Sequence, residues 1–175
     1  MSDLEPHLAR LVAQLGELEA LARPERAARR EPAISGWSVA EHLEHLLLAA
    51  EMILAGLDRL DHGAPPAELG GGPRLLGRVV LLTGWIPRGR GTAPPRTVPG
   101  TVAVADLAPR YAGLRAGFGR LTARLTALER SRHTIRHPYF GPFRAVHWLE
   151  FCVIHNRHHL RIAAEVEGMA RTAAG

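Results

Sequence analysis

The chain has 175 residues, 46% of them hydrophobic, and a formal net charge of +5 in which all 22 basic residues are arginine. This supports one domain, 1–175, with a real core, while no run reaches the roughly 18–20 uninterrupted apolar residues of a membrane helix. The single cysteine, Cys152, excludes an internal disulfide and a cysteine-built metal knuckle, so any metal must be held by nitrogen and oxygen.

The N-terminal MSDLEPHLAR has an acidic start and no apolar h-region, and the expectation is a cytoplasmic protein. Residues 3–22 place Leu4, Leu8, Leu11, Val12, Leu15, Leu18 and Leu21 at helical spacing. Ser2 or Asp3 is expected to cap that helix, with Pro6 tolerated in its first turn. A charged connector, RPERAARREPAISG, leads to WSVAEHLEHLLLAAEMILAGLDRLDHG. There Ser38 and Glu41 have the spacing of a capping box, which predicts a second helix from Ser38 to about His62 with Gly63 as its stop.

APPAELGGGP reads as a loop, RLLGRVVLLTGWI as a short apolar element, helix in preference to strand although periodicity does not decide between them, and PRGRGTAPPRTVPG as a long irregular loop of the kind that often binds or covers a site. A third helix is expected after Asp106, where Leu107, Tyr111, Leu114, Phe118, Leu121, Leu125 and Leu128 alternate steps of four and three, the seam of a bundle. SRHTIRHPYFGPF reads as a turn-rich loop, and a last helix should run from about Arg144 to Gly168. No stretch shows strand alternation. The expected fold is all-α: a four-helix bundle with a helical and irregular insertion between the second and third helices.

The last helix holds HNRHHL, with three histidines in five positions. At about 100° per residue, Leu149, Cys152, Ile162 and Val166 define its inner stripe. His155 and His159 fall inside that stripe and His158 to one side. Two imidazoles at i and i+4 can grip one ion from successive turns. The plain alternative is a pair of core histidines bonded to backbone or water. A third donor is available in EHLEHL on the second helix. His42 lies closer to the Leu43/Leu46/Ile53/Leu57 stripe, and His45 sits at its edge beside Ala49, Met52 and Gly56. The residues alone leave both open. Glu41, Glu44 and Glu51 read as solvated surface.

GWSVAEHLEHL together with HNRHHLRI resembles the DinB-like superfamily of metal-binding four-helix bundles. In that pattern a tryptophan-serine pair opens helix two, a histidine follows eight residues after the tryptophan, and H-x-x-x-H lies in the last helix. The resemblance implies an up-down-down-up bundle with His45, His155 and His159 as metal ligands. IPRGRGTAPP and HPYFGPF are similar to a subgroup of unknown function. The resemblance covers helix two to the C-terminus. The chain departs from the subgroup at Phe143, Arg144 and His147, and at Arg161 after HHL, all positions that would line the cleft rather than hold metal.

Three histidines from two helices leave open positions on a divalent ion such as zinc, nickel or iron. Neutral imidazoles would leave its charge uncompensated and acidify a bound water. The resemblance further implies a thiol-dependent transferase that uses a low-molecular-weight thiol on a small electrophile. Arg88 and Arg90 are then candidates for holding an anionic cofactor group, and His137, Tyr139 and His42 for lining the cleft, each against a plain reading as loop, turn or core. The alternative function is a non-catalytic, stress-linked bundle whose ion stabilises the fold or a homodimer. Nucleic-acid binding ranks below both, because the arginines are scattered and lack interleaved aromatics other than Trp85. The expected partner is a small molecule, with a homodimer allowed.

Overall fold

The computed structural model describes residues 3–89 and 91–172. Helix α1 spans Glu5–Leu21 and buries Leu8, Leu11, Leu15 and Leu18. Its N-cap is Leu4 with no side-chain cap bond, so Asp3 does not cap it, and Ser2 lies outside the described residues. The entry is held by tertiary contacts instead. The Asp3 backbone N–H donates to Glu129 Oε1 at 2.7 Å, and Leu4 is buried. The charged connector carries a short helix, α2 (Pro24–Ala27).

Helix α3 spans Val39–His62 between the boundaries its sequence signals. The Glu41 N–H donates to Ser38 Oγ at 3.3 Å and the Ser38 N–H to Glu41 Oε2 at 2.7 Å, which closes the capping box. Gly63 ends the helix in the left-handed conformation, φ 63°, where a side chain would be strained. In the insertion, α4 spans Leu75–Thr83 and turns only Gly77 and Val80 inward. A 3₁₀ turn follows at Pro95–Thr97.

The long seam is real, but it is not one helix. Helix α5 runs Val104–Arg120, starting slightly before the expected Asp106. A 3₁₀ turn covers Leu121–Arg124, and α6 runs Leu125–Arg130. All seven seam residues from Leu107 to Leu128 are buried regardless. Gly117 and Gly119 precede the break, where helix propensity is low. Helix α7 spans Ala145–Thr172 and continues past the expected end at Gly168.

The expected turn-rich loop contains a hairpin. Strand β2 (His133–His137) pairs antiparallel with β3 (Gly141–Phe143), Ile135 opposite Phe143, and β1 (Glu68–Leu69) from the insertion adds to the other edge of β2. Burial along β2 does not alternate strictly, so the period-two signal of a strand is missing from its sequence.

Helices α1 and α3 each pack against both α5 and α7, giving a mostly helical four-helix bundle around one apolar core. A satellite cluster of Val80, Phe140, Phe143, Phe151 and Ile154 joins α4, the hairpin and α7. Burying side chains of this size contributes about 1.5–3 kcal/mol each. This cluster holds the insertion against α7, beside the histidines. No helix among the described residues is long and apolar enough to cross a membrane.

Candidate metal centre

Helix α3 presents His42 and His45 near its capped start, and α7 presents His155, His158 and His159 near its middle. His45, His155 and His159 converge. One ligand nitrogen from each lies within 4.8 Å of the other two, and the three ring centroids are separated by 5.0, 4.9 and 4.8 Å. His45 Nε2 and His155 Nε2 stand 3.1 Å apart. Two nitrogens each about 2.0–2.1 Å from one tetrahedral ion are separated by about 3.3–3.4 Å, so this pair is already near ligand spacing. The cluster is compatible with a metal site.

The outer ring nitrogens of His45 and His159 have partners of their own. His45 Nδ1 donates to the Thr97 carbonyl at 2.7 Å, which leaves the lone pair on Nε2. His159 Nδ1 lies 2.9 Å from His42 Nδ1, and His42 Nε2 lies 2.9 Å from Ser35 Oγ. A lone pair on His159 Nε2 requires His159 Nδ1–H to donate to His42 and His42 Nε2–H to donate to Ser35, one of the two proton arrangements these distances accept. Such outer partners fix tautomer and ring orientation at metal-binding histidines. His42 therefore stands behind the triad and supports His159. The structure separates it from His45, a distinction the helical angles left open.

Aromatic rings close the sides. Trp37 lies 5.1 Å from His45 and 5.4 Å from His42, and stacks on His159 at 6.3 Å. Phe151 stacks on His155 at 5.3 Å. Burial disfavours a charged imidazole throughout. His155 and His159 sit well below the ordinary histidine range, first by burial and then by the neighbouring imidazoles. His45 is lowered by burial against the opposing pull of the Thr97 carbonyl. His42 is pushed down to about 4 by burial, with His45 adding to the effect. Neutral rings present lone pairs without first shedding a proton.

Glu44 corrects the expectation of a solvated face. It is buried and accepts from the N–H groups of Gly100, Thr101 and Val102 at 2.7, 2.6 and 2.8 Å, and from the Thr101 hydroxyl at 2.8 Å. Burial alone would raise its pKa, but these hydrogen bonds outweigh it and hold the carboxyl below its ordinary value. Glu44 thus pins the end of the long loop onto α3, and the same loop carries the Thr97 carbonyl to His45. Glu41 serves the capping box and pairs with Arg30; Glu51 is held by Arg110. Ser35, Thr97 and Phe151 were missed from the sequence. Only the loop's length signalled a role there.

Other candidates lie outside the triad. Arg88 makes a two-pronged ion pair with Glu165 at 2.7 and 2.6 Å, and Arg90 lies outside the described residues. His137 Nδ1 accepts from the N–H groups of Tyr139 and Phe140 at 3.2 and 3.3 Å. Its ring stacks on Phe140 at 4.4 Å, and burial pushes its pKa down to about 4. It holds the hairpin turn, one aromatic ring removed from His155 through Phe151. Tyr139 is exposed, and its hydroxyl donates to the Thr92 carbonyl at 2.8 Å. Cys152 is a core residue whose thiol burial pushes up to about 12, and the ligand groups that cluster among the described residues do not include it.

The sequence model of one protein family, described as the DinB superfamily, matches residues 4–163. Comparison with curated proteins and with solved structures returns no match.

Proposed function

The chain belongs to the DinB superfamily, and on that premise we propose that it is a metal-dependent transferase. In this reading His45, His155 and His159 hold one divalent ion (zinc, nickel or iron), and the protein moves a low-molecular-weight thiol onto a small electrophile. The observation that supports it is the convergence of three neutral imidazoles within 4.8 Å, backed by the hydrogen bonds on the outer nitrogens of His159 and His45. The donor set fits such an ion: three nitrogens, no thiolate, and no carboxylate among them. When bound, the ion would supply Lewis acidity that favours the anionic form of an incoming thiol.

The chain's own residues do the rest. Thr97 and His42 keep ligand lone pairs aimed inward, and Trp37 and Phe151 wall the centre with apolar surface. In the transfer the thiol S–H proton passes to solvent, a carbon–sulfur bond forms, and the bond from carbon to its leaving group, a halide for example, breaks. Three ligands leave room for a substrate atom, whereas a purely structural ion would require a fourth protein donor.

Metal analysis of protein purified without a histidine tag, beside His45→Ala and His159→Ala, tests the site. The expected result is about one ion per wild-type chain and loss in both variants. Full metal retention in both variants refutes it. Thiol consumption with a halogenated arene tests the reaction; a protein that retains the ion but leaves such mixtures unchanged points to a structural metal.

A further inference from the structure

A groove of about 330 Å³ runs along the flank of α7 where α4 ends, and Trp85, Arg88, Arg157, His158 and Arg161 line it. It adjoins the histidine cluster. The His158 ring lies 5.0 Å from that of His159. Its volume suits a small ligand.

The charges in this groove are unbalanced. Three guanidinium groups line it and no carboxylate does. Glu165, from outside the lining, occupies both prongs of Arg88. Arg157 spends one N–H on the Gly84 carbonyl at 2.7 Å, capping the C-terminal end of α4, and its other donors remain for a ligand. Arg161 is exposed and makes no hydrogen bond or ion pair among the described residues. Arg157 and Arg161 form no ion pair among the described residues, and holding such cations side by side costs electrostatic energy that a bound anion would recover. Guanidinium forks match the paired oxygens of carboxylate and phosphate. Trp85 is 62% exposed at the same groove, an indole surface with nothing packed over most of it.

The geometry points to an oxyanion subsite: Arg157 and Arg161 grip the carboxylate or phosphoryl group of a small aromatic ligand, and Trp85 covers its ring. This rests on the functional reading above for the reacting centre and names the substrate class that centre would receive, an aryl compound with an anionic group. Arg88, proposed from sequence as the anion holder, is already committed to Glu165. The subsite shifts that role to Arg157 and Arg161.

Titration calorimetry on the full-length protein, metal-stripped and metal-loaded, tests it with benzoate, phenyl phosphate and benzyl alcohol. Benzoate or phenyl phosphate binds, benzyl alcohol binds at least about tenfold more weakly, and Arg161→Gln lowers the anion's affinity about tenfold or more. The tighter of the two anions identifies carboxylate or phosphoryl as the group taken. Arg157→Gln should act similarly but also removes the α4 cap, so Arg161→Gln decides. Arg157 and Arg161 also line a neighbouring groove, with Arg10 and Glu17. Arg10→Gln alters that groove and not the one beside Trp85, so it should leave affinity unchanged, and a loss as large as in Arg161→Gln overturns the placement. Equal binding of benzyl alcohol, no binding of either anion, or wild-type affinity in Arg161→Gln overturns the subsite. Because binding is read on metal-stripped protein, failure of the metal site leaves this result decisive on its own.

Discussion

Replacing Glu44 by alanine tests how the insertion is tied to the histidines. Glu44 accepts three backbone N–H groups and one hydroxyl from Gly100, Thr101 and Val102. Hydrogen bonds to a charged group contribute about 1.5–3 kcal/mol each, and an orphaned buried donor costs about 1–3 kcal/mol. These four are not additive, since they share one carboxylate, and a loop released from α3 can turn its N–H groups to water. The expected loss is therefore about 3 kcal/mol, at the lower end of what breaking a buried charged contact costs. For a chain of this size that is about 6–12 °C in Tm. A second effect follows through Thr97. With the loop freed, the His45 Nδ1–H loses its carbonyl and the ring loses its orientation, which should weaken metal affinity about 10–100-fold. Thermal unfolding of the metal-free protein and a competitive metal titration read the two effects separately. Glu44→Gln keeps the side chain's shape and should lie between wild type and alanine in both. If Glu44→Ala unfolds within about 1 kcal/mol of wild type and binds metal as tightly, the loop is not held as described.

His42→Ala should lower metal affinity by about 10–100-fold without abolishing binding, because His42 supports His159 from behind; His155→Ala should abolish it, and a titration of both variants separates supporter from ligand. His137 has a folded pKa of about 4 against an ordinary 6.5, so the unfolded chain binds its proton first as pH falls. Its contribution to stability is intact above about pH 6.5 and is lost progressively down to about pH 4, by about 3 kcal/mol in total. Urea unfolding across that range should show a shallower pH dependence in His137→Gln than in wild type. Ser38→Ala should destabilise by about 1 kcal/mol through the lost cap, seen as a drop of about 2–4 °C in Tm. Gly63→Ala should cost more than 1 kcal/mol. It combines φ 63° with a Cβ position 2.7 Å from the His133 ring, and denaturant unfolding measures it.

The family pattern placed His45, His155 and His159 together before any coordinates did, and the structure brings those three together. Periodicity placed the buried faces of the main helices, and the capping box and Gly63 placed both ends of α3. These features lie within a few residues of one another, so a linear reading can find them. The short strand β2 was not legible, because its pairing with β3 and β1 supplies what its own pattern lacks. Glu44 was misread for a related reason. A glutamate between two apolar stripes looks solvated unless a loop 56 residues away is known to fold over it.

Which residue faces turn inward and which imidazoles are available can be read from the chain alone, because both follow from helical pitch and side-chain chemistry. What stands behind His45 and His159 is set by the packed fold. The Thr97 carbonyl reaches His45 across 52 residues and His42 reaches His159 across 117. Hydrogen bonds over such separations leave no periodic trace in the chain, since they form only where the packed bundle sets its elements side by side.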